Sequence, residues 1–246
     1  MAIPPNHPRA KSLYIREMLV SGFRRGLVAP EGLIAHGRGE AYDYLLGERT
    51  TENAQLAINA AAELLLRSNR PVISVNGNTA ALCPDAVVDL AALTGASIEV
   101  NIFYRTEERE LAIKTELELN GAKFVLGVGS KASARIPELQ SERRRVDPDG
   151  IFGADTVLVP LEDGDRTEAL AKMNKTVIAI DLNPLSRTSR AANITIVDNI
   201  VRAMPLLVKA ARKLKAKAIT SLGRMADSFD NSKNLQDSIK IIKGEI

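Results

Sequence analysis

Cysteine, histidine and aromatic residues are all scarce in this sequence. The 246 residues contain one cysteine, Cys83, so no disulfide can form within the chain. With only His7 and His36 beside it, a zinc site of cysteine and histidine ligands cannot be assembled. Aromatic residues make up 4%, which disfavours nucleic acid as a partner, because its binding surfaces stack bases on aromatic side chains. A reducing cytoplasm is the expected location.

Long apolar runs and an excess of one charge are missing too. No window holds about 18 uninterrupted apolar residues, and the N-terminus has neither a basic nor an apolar leader. We therefore expect neither a membrane partner nor secretion. Lysine and arginine total 33 against 30 acidic residues, for a net charge of +3. This mildly basic balance suits phosphorylated small molecules or nucleic acid.

The hydrophobic pattern divides the chain near residue 70. Before it, apolar residues recur at helical spacing, and two or three helices are expected. After it, short β-branched runs alternate with helical stretches, and the run 177–180 is apolar at every position, as in strands covered on both faces. We predict six strands, at 72–75, 97–102, 123–126, 156–159, 176–180 and 193–197, with helices at 84–93, 107–119, 167–173 and 200–217.

This alternation predicts an α/β fold, with a Rossmann-like parallel sheet sandwiched by helices and preceded by an N-terminal helical region. We assign residues 1–70 to a helical region packing on the core, 71–217 to a nucleotide-binding core and 218–246 to a C-terminal tail or surface helix. The three parts are expected to form one structural unit.

Polar residues follow the predicted strands, and in an open parallel sheet these exits meet at one edge, where ligands bind. Asn76 and Asn78 follow the first strand. Asp181 follows the fifth, where its carboxylate can accept hydrogen bonds from ribose hydroxyls or can close an Asx turn or cap a helix. Arg187 stands among hydroxyl residues that suit phosphate oxygens, the alternative being a solvated basic loop. Asp198 is interpreted as the N-cap of the last core helix.

An acidic loop follows the fourth predicted strand. Asp165 and Glu168 have the spacing of a capping box, which leaves two acids over. Glu162 and Asp163 are therefore candidates to hold Mg²⁺ or to accept hydrogen bonds from an amine. A solvated acidic turn is the alternative.

A glycine pair marks the helical region. Gly37 and Gly39 flank Arg38, beside His36. Each glycine inside a helix costs about 1 kcal/mol relative to alanine, so the pair suggests close approach of a ligand or partner. Arg38 and Arg16 are candidate anion clamps or plain surface charges. His36 is either a functional group or a satisfied core histidine.

Common nucleotide and hydrolase motifs are weak or absent. The segment 127–132, GVGSKA, superficially matches GxGxxA, but it follows the third predicted strand, and Pro137 would cut short a phosphate-binding helix. The sequence has no GxxxxGK[ST], no HExxH and no nucleophile elbow. Covalent serine or cysteine catalysis is therefore not expected.

Several blocks taken together resemble the archaeal 4-phosphopantoate–β-alanine ligases, also called phosphopantothenate synthetases, of coenzyme A biosynthesis. The blocks span residues 7 to about 205, and the departures at 127–132 and beyond 218 fall between or after them. They are 7–9 (HPR), 32–50 (GLIAHGRGEAYDYLLGERT), 71–82 (PVISVNGNTAAL), 99–109 (EVNIFYRTEER), 159–170 (VPLEDGDRTEAL), 180–188 (IDLNPLSRT) and 195–202 (TIVDNIVR).

The resemblance implies ATP-dependent condensation of 4-phosphopantoate with β-alanine through an acyl-adenylate, releasing AMP and diphosphate. It also implies a Rossmann-like fold, a homodimer and the use of Mg²⁺ with ATP. Carried over by motif, the ATP-binding residues would be Arg16, Arg38, Asp181, Leu182, Asn183, Arg187, Thr188, Asn199 and Ile200.

Other assignments rest on position and chemistry. By position alone, 4-phosphopantoate is assigned to Asn76, Asn78, Arg105 and Arg109. β-Alanine must lose a proton to attack, and His36, Glu162 or Asp163 can accept it. The sequence does not choose among these three, and it assigns no protein ligand to Mg²⁺. The alternative functions are a non-enzymatic nucleotide-binding regulator and an NAD-dependent oxidoreductase on a similar fold.

Overall fold

The N-terminal part of the chain is helical, as predicted. The computed structural model describes residues 3–4, 6–161, 163–216 and 224–245. Its first three helices are α1 (Ala10–Arg24), α2 (Pro30–Leu45) and α3 (Glu52–Arg67). Thr51 caps α3, because its side-chain oxygen accepts a hydrogen bond of 3.1 Å from the N–H of Ala54. Within the described residues, no helix has the length and apolar character needed to cross a membrane.

A parallel sheet with flanking helices follows, which confirms the predicted fold class. The strands are β1 (Pro71–Val75), β2 (Ser97–Val100), β3 (Ala134–Arg135), β4 (Arg145–Val146), β5 (Thr156–Val159), β6 (Thr176–Ile180) and β7 (Ile194–Ile196). The remaining helices are α4 (Gly77–Leu82), α5 (Pro84–Thr94), α6 (Glu107–Leu119), α7 (Gly164–Lys172), α8 (Arg187–Ala191), α9 (Ile200–Lys215) and α10 (Asn231–Lys243). Five strands form the parallel sheet in the order β2-β1-β5-β6-β7, and β3 pairs with β4 in an antiparallel ribbon.

The prediction of six strands was wrong at 123–126. That segment touches the sheet through a single parallel bridge between Leu126 and Glu99. Gly127 then adopts a φ of +77°, and a Cβ there would lie 2.5 Å from the carbonyl oxygen of Val100. The chain therefore turns away at the point where a sixth strand would have to continue. The β3–β4 ribbon was missed because two residues per strand show no alternation.

The order of the strands reverses between β1 and β5. From β1 the chain moves outward to β2, and it then crosses back so that β5 pairs with the other side of β1. The loops that follow β1 and β5 therefore run in opposite directions along the sheet. Their divergence leaves a crevice at the carboxyl ends of these two strands. The exits of β1 and β5, at Asn76 and Asp163, flank that crevice.

Both faces of the sheet are covered. Alternate strand residues face two separate apolar clusters, with Ile73, Leu158 and Ile178 in one and Val72, Val157 and Val177 in the other. The first cluster includes buried residues of α3, α5 and α9, and the second includes buried residues of α7 and of the segment around the ribbon. This two-sided burial accounts for the uninterrupted apolar strands in the sequence.

The C-terminal part contains α10, which docks at the β7 edge of the core. Leu235 packs with Leu46 and Val197 in a small apolar cluster. The Nδ2 group of Asn231 donates hydrogen bonds of 2.9 Å to the carbonyl oxygens of Ser189 and Ala192. Helix α10 thus braces the loop that bears α8, beside the exit of β6.

Candidate active site

A cavity of about 900 Å³ opens at the carboxyl edge of the sheet. The exits of β1, β2, β5, β6 and β7 form one wall, which we call the sheet edge. Helix α2 forms a second wall. Most of the residues proposed from the sequence line this one cavity, namely His36, Arg38, Asn76, Asn78, Arg109, Asp163, Asp181, Leu182, Asn183, Arg187, Asn199 and Ile200.

Three proposed residues lie outside the cavity lining, and Glu162 lies outside the described residues. Arg16 is exposed on α1 and makes an ion pair of 2.7 Å with Glu40. The Arg105 side chain is buried and ion-paired with Glu110, and it also donates to the carbonyl oxygen of Arg145 at 3.0 Å. Thr188 is buried, and its hydroxyl oxygen accepts a 2.8 Å hydrogen bond from the N–H of Asp163. Their contact with a ligand stays a prediction.

The exit of β6 is a rigid polar loop. One carboxylate oxygen of Asp181 accepts a 2.9 Å hydrogen bond from the N–H of Asn183, and the other accepts from the hydroxyl of Ser186. Ser186 in turn caps α8, accepting from the N–H of Ser189 at 2.9 Å. The Asx turn considered as the alternative for Asp181 is therefore present. The side chain also borders the cavity, and each carboxylate oxygen can accept more than one hydrogen bond, so this geometry is compatible with a ligand hydroxyl as a further donor.

The N-cap of α9 is Asn199, so the assignment of that role to Asp198 was wrong. The side-chain oxygen of Asn199 accepts a 3.2 Å hydrogen bond from the N–H of Val201. Asp198 instead accepts from the hydroxyl of Thr50 at 2.6 Å and pairs with Arg202 at 2.6 Å. Burial raises the pKa of Asp198, while these contacts oppose that shift.

One ion-pair network joins the α2 wall to the sheet edge. Arg202 pairs at 2.5 Å with Asp43, which is the buried residue of α2. The Nδ2 group of Asn199 donates to the same carboxylate at 2.8 Å. Asp43, Asp198 and Arg202 therefore dock α2 against the first turn of α9, where Asn199 and Ile200 line the cavity.

The acidic loop is organised differently from its prediction. Asp163, rather than Asp165, caps α7, accepting from the N–H of Arg166 at 3.4 Å. Asp165 and Glu168 both bind Arg187 across an exposed surface, each at 2.6 Å. Their spacing matched a capping box, but a guanidinium from α8 takes both carboxylates instead.

Asp163 is buried between two guanidinium groups. It forms ion pairs with Arg143 and with Nε of Arg166, the latter at 2.8 Å. Arg166 is fully buried and also donates to Ser74 Oγ at 2.5 Å and to Asn101 Oδ1 at 2.6 Å. Burial lowers the pKa of Arg166 to about 10, against the attraction of Asp163. Both ion pairs already occupy the Asp163 carboxylate inside the protein.

His36 is the better placed base among the described candidates. It is half-buried on α2, and burial lowers the pKa of its imidazole, with Glu40 opposing the shift. Its Nε2 is buried and has no hydrogen-bond partner among the described residues. A neutral ring at physiological pH can accept a proton.

The glycine pair next to His36 makes no close approach to other described residues. A Cβ at Gly37 would have no heavy atom within 4 Å, and a Cβ at Gly39 would lie 3.5 Å from Leu182, an ordinary van der Waals distance.

Sequence reasoning missed Arg143 and the aromatic pair beside it. Arg143 lines the cavity and lies over the ring of Phe103, at 5.8 Å from its centroid. Phe103 and Tyr104 pack edge to face with centroids 5.0 Å apart. The signal available was the arginine run 143–145, which does not indicate which member enters a site.

The residues that the structure describes include no group of three or more histidine, cysteine or acidic side chains arranged to hold a metal ion. Mg²⁺ does not require such a cage, since it commonly retains water and binds through substrate phosphates and one or two carboxylates.

Comparison with known sequences identifies the family to which this chain is similar. A sequence model of the phosphopantothenate/pantothenate synthetase family matches residues 53–245. Two proteins named 4-phosphopantoate–β-alanine ligase, from Thermococcus onnurineus and Thermococcus kodakarensis, are 52% and 51% identical over 244 residues. Both alignments cover 99% of this chain and 93% of the relative. A protein of the same name from Methanosarcina mazei is 51% identical over 241 residues, 98% of this chain and 94% of its own.

Proposed function

The chain belongs to the phosphopantothenate/pantothenate synthetase family, and we propose on that premise that it joins 4-phosphopantoate to β-alanine as an ATP-dependent ligase of coenzyme A biosynthesis. The observation that supports this function is a sequence identity of 51 to 52%, over 98 to 99% of this chain, with proteins named for that reaction. The cavity adds support, because it gathers arginines, amides and buried carboxylates at the switch point of a parallel sheet.

The nucleotide is proposed to lie along the exits of β6 and β7. Asp181 would accept hydrogen bonds from ribose hydroxyls, and Arg38 and Arg187 would face the phosphates from the two walls. Ile200, the first residue of α9, would supply a backbone N–H group and the partial positive charge of the helix start next to them, whereas the N–H of Asn199 donates to Asp198 at 2.7 Å. Mg²⁺ would arrive bound to the phosphates and neutralise part of their charge.

4-Phosphopantoate is proposed to occupy the other end of the cavity, near the exit of β1. Asn76, Asn78 and Arg109 line that end. Arg109 is held in place, because it donates to the carbonyl oxygens of Tyr104 and Leu27, the second at 2.9 Å. Burial lowers the pKa of Arg109, and an anionic group of the substrate would compensate that buried charge.

The reaction needs two anions brought together and one proton removed. The pantoate carboxylate attacks the α-phosphorus of ATP and displaces diphosphate, and the amine of β-alanine then attacks the acyl carbon and displaces AMP. His36 is proposed to accept the amine proton, because its imidazole is kept neutral by burial. Glu162 stays a second candidate.

A homodimer working in the cytoplasm, where ATP is supplied, is also proposed. Large apolar side chains are exposed on α1 and α2, and a second copy would bury them. They are Tyr14, Met18, Phe23, Ile34, Tyr44 and Leu45.

The decisive experiment incubates the protein with ATP, Mg²⁺, 4-phosphopantoate and β-alanine and identifies the released nucleotide. AMP should be released at steady state only when both acids are present. Release of ADP, or absence of turnover together with tight NAD binding, would refute the ligase. The structure gives no support to NAD, since residues 127–132 contain a single turn of 3-10 helix, Gly129–Lys131, in place of the α-helix that a dinucleotide-binding loop would open.

A further inference from the structure

A cluster of nearly buried charges at the wall of the cavity places two cations in contact with a single acid. Asp163 supplies one negative charge between Arg143 and Arg166, and the other partners of Arg166 are the neutral side chains of Ser74 and Asn101. Glu99 also attracts Arg166, but burial raises the pKa of this carboxyl to about 7, so it offsets only part of the excess positive charge near neutral pH. An uncompensated charge in a site of low dielectric attracts an anion.

Arg143 is the member of this cluster that reaches the cavity. Its side chain is 15% exposed, against 1% for Arg166 and 7% for Asp163. One face of its guanidinium lies over Phe103, and Asp163 holds one end group. Its Nε is buried and has no hydrogen-bond partner among the described residues. The guanidinium is therefore oriented by the protein while part of its donor capacity remains for a ligand.

The position of Arg143 lies between the two proposed substrate ends. On one side, the backbone at Asp163–Gly164 contacts α8, since Thr188 accepts from the N–H of Asp163 and a Cβ at Gly164 would lie 2.8 Å from Cβ of Arg187. On the other side, Phe103 packs against Tyr104, whose carbonyl oxygen binds Arg109. Arg143 thus stands where the nucleotide end meets the end assigned to 4-phosphopantoate.

We propose that Arg143 is a catalytic residue of the adenylation step, donating hydrogen bonds to the α-phosphate of ATP and to the attacking carboxylate. This assignment rests on the ligase function proposed above. In that step a carboxylate oxygen forms a bond to the α-phosphorus. The bond from the α-phosphorus to the bridging oxygen breaks, and diphosphate leaves with its electron pair. No proton is transferred, so the requirement on the protein is a fixed positive charge at the joining anions.

The test measures diphosphate exchange into ATP in the presence of 4-phosphopantoate and Mg²⁺ and in the absence of β-alanine. Arg143→Gln should lower the maximal exchange rate by about 10²- to 10³-fold, as removal of one preorganised donor does, with the KM for ATP nearly unchanged. Arg143→Lys keeps the charge but loses the planar fork, so an intermediate rate is expected. The matched control is Arg135→Gln, which removes the same charge from an exposed position on β3 and should leave the rate unchanged.

Melting temperatures separate this role from a structural one. Arg143→Gln leaves Asp163 paired with Arg166 and makes the cluster neutral, so the melting temperature should not fall. A lowered melting temperature together with an exchange rate near wild type would overturn the assignment. A raised KM for 4-phosphopantoate with an unchanged maximal rate would also overturn it, since it would make Arg143 a binding group only. Absence of AMP formation by the wild-type protein would instead refute the ligase function itself.

Discussion

The two walls of the cavity are built in different ways. At the sheet edge, Asp163, Asp181 and Asn199 are buried and each is held by at least two polar contacts. On the α2 wall, His36 is half-buried and Arg38 is exposed. The contrast follows from the elements, since strands enclosed on both faces fix the residues that leave them, whereas α2 is a surface helix.

This difference suggests a division of roles between the walls. On the proposed assignment, the side chains that would hold the nucleotide lie on the sheet edge, where burial and hydrogen bonds restrict their rotamers. The proposed proton acceptor, His36, lies on α2. The two walls are linked through Asp43, which binds Arg202 and Asn199. Four predictions test this comparison, and they are ordered from the largest expected effect to the smallest.

The largest effect is expected at His36. His36→Gln should lower amide formation by about 10²- to 10⁴-fold, the usual contribution of a positioned base, while diphosphate exchange without β-alanine survives. Because burial lowers the pKa of His36, the wild-type amide rate should fall on the acid side of the ordinary histidine pKa, when the ring takes up its proton. The pH dependence of both half-reactions checks this.

The matched control for His36 is His7→Gln, since His7 is exposed near the N-terminus. If the amide rate of His36→Gln stays at the wild-type level, Glu162→Gln becomes the variant to measure. If His36→Gln lowered diphosphate exchange and amide formation equally, His36 would be a residue that positions substrates. That result would contradict the proposed division of roles between the two walls.

Next in size is the link between the walls. Arg202→Met would leave the buried carboxylates of Asp43 and Asp198 without their cation, and breaking a buried pair in this way costs about 3 to 5 kcal/mol. Chemical denaturation should show a loss of about that size, and the KM for ATP should rise because α2 is no longer docked on α9. Arg212→Met on the same helix removes an exposed pair with Asp89 and should cost at most about 1 kcal/mol. Similar losses in both variants would show that the link contributes nothing specific.

Arg187 should give a smaller effect. It is the exposed arginine of the sheet edge, and it is shared between Asp165 and Glu168. Arg187→Ala should raise the KM for ATP by about tenfold, as for one lost charged hydrogen bond. The double variant Asp165→Asn with Glu168→Gln should lower that KM, because the guanidinium is freed from competing carboxylates, and added salt should reduce the difference. An unchanged KM in Arg187→Ala would remove this residue from the nucleotide site.

The smallest effect, counted per pH unit, is on the free energy of unfolding and comes from Glu99 on β2. Burial raises the pKa of Glu99 to about 7, against the hydrogen bonds from Ile151 and Asp147. The folded protein therefore holds this proton at pH values where the unfolded chain has released it. The stabilisation is complete below the unfolded pKa near 4.5 and is lost as the pH rises through about 7, with a slope of about 1 kcal/mol per pH unit.

Denaturation curves at several pH values test this slope. The difference in unfolding free energy between wild type and Glu99→Gln should decrease from pH 5 to pH 8. The corresponding difference for Glu118→Gln, an exposed residue of α6, should stay constant. A difference for Glu99→Gln that does not change with pH would show that this carboxylate keeps an ordinary pKa.

The sequence by itself determined the fold class and the location of the cavity. Apolar strands such as 177–180 must be covered on both faces, and the polar residues that follow them must meet at one edge. Asn76, Asn78, Asp163, Asp181 and Arg187 were predicted on that basis, and the family resemblance supplied most of the other nucleotide-binding residues. The structure brings twelve of the proposed residues into one cavity.

Only the tertiary structure decided which partner each of these side chains takes. Asp163 caps α7 and binds two arginines, Asp165 binds Arg187 instead of capping, and Arg143 alone of its arginine run lines the cavity. The spacing of residues along the sequence indicates only which side chains are neighbours within one helix or loop. The contacts that position these groups join distant parts of the chain, as between Asp43 and Arg202, and they form only once the sheet and its helices have packed.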